Sequence, residues 1–289
     1  MEVAPGISFT SSTELVDERV GNYLDEIETM MSIGQNVMKN IERNAVGKFL
    51  CFGMGGTGKT TLVKQTAWLL NRKGLKLSYM EIKCNTLVRR TVDGSVLRNH
   101  LASATFCARQ HLPIMIAFDE LDALAPERVD QGTIERGFSL AVCDLVENRF
   151  GIGQETEGKI LFVGMMNYPE LVDAAVRSRL GSALYVPVPG ERSIVEILRT
   201  RGVPSPKEVT KALLDRLGGD SLCTRALVDG CRKDILHGID LRPKSIAEAI
   251  YSSSGVPYSR GEVERYEATN ISYIRKSEAT IAFWKRRVP

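Results

Sequence analysis

The sequence has no uninterrupted apolar run approaching the roughly 20 residues that a bilayer-spanning helix requires. Its first ten residues, MEVAPGISFT, carry neither the basic patch nor the apolar core of a signal peptide. A cytosolic protein that does not use a membrane is the expectation. There is no C-x-x-C pair: Cys51, Cys84, Cys107, Cys143, Cys223 and Cys231 are scattered, and none has a histidine at zinc-ligand spacing. They are expected to be buried thiols in a reducing compartment. No single charge dominates, because a net charge of +3 is too small to announce the concentrated basic face of a polyphosphate binder, although it does not exclude one. Nor is the chain poor in apolar residues: 43% hydrophobic against 25% charged excludes general disorder. No internal repeat is visible. At 289 residues the chain is long enough for one large domain with a small companion.

Four segments follow from the hydrophobic periodicity. Residues 1–47 contain LVDERVGNYLDEIETMMSIGQNVMKNIER, with apolar positions recurring at three and four, and are expected to form a helical arm. From residue 48 the period changes. KFLCFGMGG is a short apolar strand entering a glycine turn, TLVKQTAWLLNRKG is a helix stopped at Gly74, and KLSYMEIKC is a second strand. The alternation continues through PIMIAFDE, KILFVGMMN and ALYVPVP, with helices between. Residues 48–190 are therefore expected to be an α/β domain with a five-stranded parallel sheet. Beyond it the strands stop. VTKALLDRLG and CTRALVDGCRKDILHG make residues 191–255 a small helical lid. Residues 256–289 are expected to be a basic C-terminal tail, with YSSSGVPYSRGE as a loop or linker before it.

The chemistry begins at GMGGTGKT, Gly53 to Thr60, which has the spacing G-x-x-x-x-G-K-[ST] and lies between a strand and a helix. Gly53, Gly55, Gly56, Thr57 and Gly58 let backbone N–H groups curl around a phosphate chain at a helix N-terminus, where the helix dipole adds partial positive charge. Lys59 would reach the β- and γ-phosphates, Thr60 would ligate Mg2+, and Thr61 opens the helix beside them. In IMIAFDELDAL, Asp119 ends a buried strand next to this loop, where its carboxylate can hold the magnesium. Glu120, one residue on, can orient and deprotonate an attacking water. Asp122 either joins this acidic edge or caps the following helix. MMNYPELVDAAVRSRLG places Asn167 at the end of the strand after the Asp119 strand, near a γ-phosphate. Arg177 and Arg179 fall too far along the next helix to serve the same nucleotide, and so are suited to a neighbouring subunit's.

Taken in order and at this spacing, GMGGTGKT, ARQHLPIMIAFDELDALAPER, MMNYPELVDAAVRSRL and YVPVPGERSIVEILRTRG resemble the AAA+ ATPases, and within them the AAA proper clade that remodels or unfolds proteins. The resemblance covers about Lys48 to Gly238. It implies a phosphate-loop α/β core with a helical lid, ATP with Mg2+ as ligand, and a ring, usually a hexamer, with nucleotide at each subunit boundary. The choice of adenine over guanine comes from this resemblance alone. Asn167 matches the position termed sensor 1, Arg177 and Arg179 match the arginine-finger positions, and Arg225 in GDSLCTRAL falls at sensor 2. Many members of the clade have a small residue there, whereas other AAA+ proteins carry an arginine.

Two departures bear on function. Polypeptide-threading members usually present an aromatic–hydrophobic–glycine paddle after the second strand; here the segment is LVRRTVDGSV, with Arg89, Arg90, Thr91, Val92 and Gly94 and no aromatic. The two arginines either ring an axis and grip an acidic peptide or nucleic-acid backbone, or make salt bridges between subunits. The arm is also too short for a client-recruiting domain. Recruitment would then use the arm, the lid, the tail with its Trp284, or a separate adaptor. The leading expectation is a ring ATPase remodelling a protein partner. A DNA-associated loader or transposition-type regulator, and an ATP-gated subunit recruiting a protease or nuclease, are the alternatives.

Overall fold

The computed structural model describes residues 2–4, 6–14, 47–90, 94–111, 113–127, 133–147, 160–232 and 239–285. One seven-stranded sheet organises the first part. Its strands are β1 (Glu2–Ala4), β2 (Ile7–Thr10), β3 (Gly47–Phe52), β4 (Ser78–Lys83), β5 (Ile114–Asp119), β6 (Ile160–Met166) and β7 (Ser182–Tyr185). Across the sheet they run β1-β2-β4-β5-β6-β3-β7. The five strands from β4 to β7 are parallel, with Gly47 opposite Leu161 and Phe52 opposite Tyr185 fixing the register of β3 between its neighbours. All seven residues of β6, and Ile114 to Phe118 of β5, are buried. Strands covered on both faces read as continuous apolar runs, which is why these segments are conspicuous in the sequence.

Between β3 and β4 runs helix α1 (Lys59–Leu70), whose Leu62, Val63, Ala67 and Leu70 cover one face of the sheet with Cys51, Met115, Leu161 and Val163. The chain leaves α1 through a wide turn in which Gly74 takes φ 89°, a left-handed conformation suited to glycine. The other face is covered by α2 (Cys84–Arg90), α3 (Gly94–Gln110), α4 (Leu121–Leu124), α5 (Thr133–Val146) and α6 (Ala174–Leu180). The lid follows as α7 (Glu191–Thr200), α8 (Pro206–Leu217), α9 (Thr224–Gly230) and α10 (Pro243–Ser253). It has its own core of Ile194, Ile197, Leu198, Leu213, Leu227 and Ile250.

Two expectations are corrected at the ends of the chain. Residues 2–10 are not part of a helical arm but an antiparallel hairpin that continues the sheet from β4, with Ile7 opposite Ile82 and Phe9 opposite Met80. The alternation in ISFT decides it: Ile7 and Phe9 turn into the core while Ser8 and Thr10 stay half-buried, and the hairpin covers what would be an open edge at β4. The remainder of the expected arm, 15–46, lies outside the described residues. Residues 256–289 are likewise no tail over their described part. They form α11 (Arg260–Thr269), opened by a capping box between Ser259 and Glu262, and α12 (Ile271–Lys285). Tyr266, Asn270 and Ser277 are buried, and Ser277 Oγ accepts from the Tyr185 backbone N–H at 2.8 Å, which seats α12 against β7. The Trp284 side chain is outside the described residues.

Candidate functional site

The C-terminal ends of β3, β5 and β6 meet where the sheet order departs from chain order, the place where open α/β sheets form a crevice. A cavity of about 860 Å3 opens there. Its wall includes Gly55, Gly56, Gly58, Lys59, Thr60 and Thr61 from the loop and the start of α1, Asp119 and Glu120 from the end of β5, and Asn167 from the end of β6. Arg225, Thr224, Val228, Thr200 and Arg201 of the lid close the opposite side. Most of the residues expected to act on a nucleotide triphosphate are thus brought to one space.

The loop is held by its carbonyl groups. Tyr258 donates its hydroxyl to Gly55 O at 2.9 Å, the Arg225 backbone N–H donates to Gly56 O at 2.9 Å, and Thr224 Oγ1 donates to Thr57 O at 2.9 Å. In a planar trans peptide unit the N–H points opposite to the carbonyl, so each of these bonds turns the next residue's N–H to the other side. Gly53 and Gly56 are demanded by space. A Cβ on Gly53 would lie 2.1 Å from the Val186 carbonyl oxygen, and Gly56, at φ +71°, has Cys223 Sγ 2.7 Å from where its Cβ would be. Val186 cannot yield, because its own N–H is bonded to Phe52 O at 2.7 Å. Gly53→Ala is therefore expected to destabilise the core by about 3 kcal/mol. A thermal melt without nucleotide checks this, and an unchanged melting temperature would contradict the close approach.

Lys59 lies 8% exposed at the base of the cavity. Its Nζ donates to Gly53 O, Met54 O and Asn167 Oδ1, each at 2.8 Å. Burial pulls its pKa down to about 8, against the pull of Cys51, Asp119 and Asp122 in the other direction. Thr60 Oγ1 sits 3.2 and 3.3 Å from the two Asp119 oxygens. Burial and the nearby Glu81 raise the Asp119 pKa, and the Thr60 hydroxyl only partly offsets them. A hydroxyl and a carboxylate converging in this way supply the hard oxygen ligands that Mg2+ takes, and a cation would relieve the repulsion Asp119 carries. Thr60 and Asp119 fit the metal.

Glu120 is exposed on the cavity wall and adopts φ 57°, ψ 50°, a left-handed backbone that is unusual for a non-glycine residue. Such a conformation persists only where the surrounding fold imposes it. Asn167 is fixed from three directions: its Oδ1 by Lys59, its backbone N–H by Asp122 Oδ2 at 3.2 Å, and its carbonyl by the Tyr266 hydroxyl at 2.5 Å. Asp122 thus braces the end of β6 besides lying in the first turn of α4. Arg225 stands on the cavity wall with its side chain exposed.

Arg177 and Arg179 are not brought to this cavity. Arg177 donates to Pro169 O at 2.8 Å and lies over the Tyr273 ring, 5.8 Å from its centroid. Arg179 donates to Ala175 O at 2.9 Å and pairs with Glu147. Arg89 is exposed on α2 and also off the cavity wall, Gly94 opens α3, and Thr91 and Val92 lie outside the described residues. Of the cysteines, Cys107 and Cys223 are only half-buried; Cys223 packs against the loop. Sequence reasoning missed Tyr258, Tyr266 and Thr224. No local pattern marks them, since their partners lie 203, 99 and 167 positions away.

Residues 49–188 match the model of the ATPase family associated with various cellular activities (AAA). The chain is 28% identical to human vacuolar protein sorting-associated protein 4A over 169 residues, which are 58% of this chain and 36% of that protein. It is 32% identical to the cell division cycle protein 48 homolog of Archaeoglobus fulgidus over 167 residues, 55% of this chain and 21% of the relative. A third relative is the 26S proteasome regulatory subunit S10B homolog B of Arabidopsis thaliana, 27% identical over 175 residues, 58% of this chain and 41% of the other. The matches thus span between 21% and 41% of these relatives' lengths. In fold the chain is similar to the crystal structure of the FIGL-1 AAA domain, with a TM-score of 0.66 at 20% identity over 92% of both chains.

Proposed function

We propose, from the match of residues 49–188 to the model of the AAA ATPase family, that this chain is a Mg2+-dependent ATP hydrolase of that family that assembles into a ring, of hexameric form, and remodels a protein partner. One observation carries the hydrolytic reading: Lys59, Thr60, Asp119, Glu120 and Asn167, drawn from two strand ends and the start of one helix, line a single cavity. Lys59 and the loop N–H groups bind the phosphates, Thr60 and Asp119 hold Mg2+, Glu120 takes the proton of the attacking water, and Asn167 positions that water. The magnesium ion, when bound, supplies charge neutralisation on the phosphate oxygens. Arg225 brings the lid's positive charge to the same phosphates.

Support for the ring comes from what the cavity lacks. Arg177 and Arg179 sit on α6, away from their own nucleotide site, as arginines supplied to a neighbour's would. A protein partner is favoured by the relatives, one of which is named as a regulatory subunit of the proteasome. Scattered cysteines with no C-x-x-C pair suit the reducing cytosol.

Mixing tests the shared site. Arg177→Ala or Arg179→Ala chains alone are expected to lose about a thousandfold in turnover, the scale of an arginine supplied in trans. Combined with Lys59→Ala chains, they recover part of the ATPase activity, because mixed boundaries pair an intact loop with an intact arginine. Absence of recovery at every ratio would place both arginines in their own subunit's chemistry and remove the argument for a ring.

A further inference from the structure

Helix α11 touches the cavity without lining it. The Tyr258 hydroxyl, just before α11, bonds the loop at Gly55 O, and Tyr266, two turns along, bonds the end of β6 at Asn167 O. The Tyr266 side chain is locked from the other side as well. Its ring stacks on Tyr185 with centroids 6.4 Å apart and meets Tyr168 at 5.8 Å, and Tyr185 in turn donates its hydroxyl to Glu267 Oε1 at 3.0 Å. At 6% exposure, with its pKa pushed well up by burial and then by Tyr185 and Glu170, the Tyr266 hydroxyl stays protonated and donating.

Of the three bonds that orient Asn167, Lys59 and Asp122 provide two from inside the α/β core. Tyr266 provides the third from the last helical pair. We propose that Tyr266 is a positioning residue for hydrolysis, holding Asn167 in its working orientation from α11, while Tyr258 separately sets the shape of the phosphate loop. The inference rests on the role given to Asn167 above. It makes the seating of α11 and α12 on β7 a determinant of turnover: displacement of the pair frees the asparagine from its third bond.

The test compares Tyr266→Phe with Tyr258→Phe, Asn167→Ala and the Asn167→Ala/Tyr266→Phe double variant, each assayed at a protein concentration where the assembly has the wild-type mass. Tyr266→Phe keeps the stacked ring and removes one hydrogen bond. Its kcat is expected to fall about three- to tenfold, with the KM for ATP, the ATP Kd and the melting temperature unchanged. Adding it to Asn167→Ala costs nothing further, because both changes act through one side chain. Tyr258→Phe is expected to weaken ATP binding by about threefold and spare kcat. A wild-type kcat in Tyr266→Phe, with Asn167→Ala slow, overturns this inference alone. A wild-type kcat in Asn167→Ala overturns the role of Asn167 on which it stands. A fall in kcat that comes with equal losses in affinity and melting temperature, or that adds in full to Asn167→Ala, reduces Tyr266 to a prop of the fold and also overturns the inference.

Discussion

Glu120→Gln is expected to bind ATP within a few-fold of the wild-type affinity and to turn it over about a hundred to ten thousand times more slowly, the range for removing a positioned general base. The two effects separate because of where Glu120 stands. The phosphates are held by the loop and Lys59 and the metal by Thr60 and Asp119, and none of these contacts involves the Glu120 side chain. Glutamine keeps the shape and volume of glutamate, so the left-handed backbone at φ 57° is undisturbed. What it loses is the capacity to take a proton from water. Equilibrium binding of ATP and a steady-state phosphate-release assay check both halves. Turnover at the wild-type rate would move the base to another group, and loss of binding would show that Glu120 supports the site rather than the chemistry.

Lys59→Ala produces the opposite split. The ammonium is the one positive side chain at the base of the cavity among the described residues, and it is bonded to three oxygen acceptors. ATP gains when that charge is transferred from neutral carbonyls to phosphate, where charge-assisted hydrogen bonds are about twice as strong. Removing it is expected to weaken ATP binding about a hundredfold or more. A thermal shift reads this directly. At a concentration a hundred times the wild-type Kd, ATP stabilises the wild type by about 2.7 kcal/mol and the variant, after a hundredfold loss, by about 0.4 kcal/mol. The nucleotide-free variant should melt close to the wild type, because a desolvated charge has been removed along with its three bonds. An undiminished ATP shift would sink the assignment of the phosphate loop.

What could be read from the sequence is what local chemistry dictates. Ile114 to Asp119 and Ile160 to Met166 stand out because a strand buried on both faces has no polar alternation to disguise it. Gly53 to Thr60 stands out because of its glycines, two of which, Gly53 and Gly56, meet backbone or a neighbouring sulfur where a side chain would go. Asp119 and Asn167 follow from their places at the ends of neighbouring strands, Asp119 as the last residue of β5 and Asn167 as the first after β6. The short hairpin at Glu2–Thr10 escapes notice because four residues are too few to establish a period against the helical pattern that follows. The C-terminal helices read as a tail because charged residues dominate their outer faces, while a sparse set that includes Tyr266, Asn270, Tyr273, Ile274, Ser277 and Ile281 faces inward. Nothing local distinguishes Tyr258 and Tyr266 from other tyrosines; their function lies in partners brought close by the fold.

The hydrogen bonds from Arg225 N–H and Thr224 Oγ1 to the loop carbonyls have a mechanical side. The lid joins the core through residues 186–190, leaves it again toward α11, and is pinned midway to Gly56 and Thr57. A body tethered where the chain enters and leaves it and pinned at its face cannot tumble; its position follows the segment it is pinned to. The pin is the same peptide segment that wraps the phosphates, so any change in the curl of that segment tilts the lid as a crank tilts its arm.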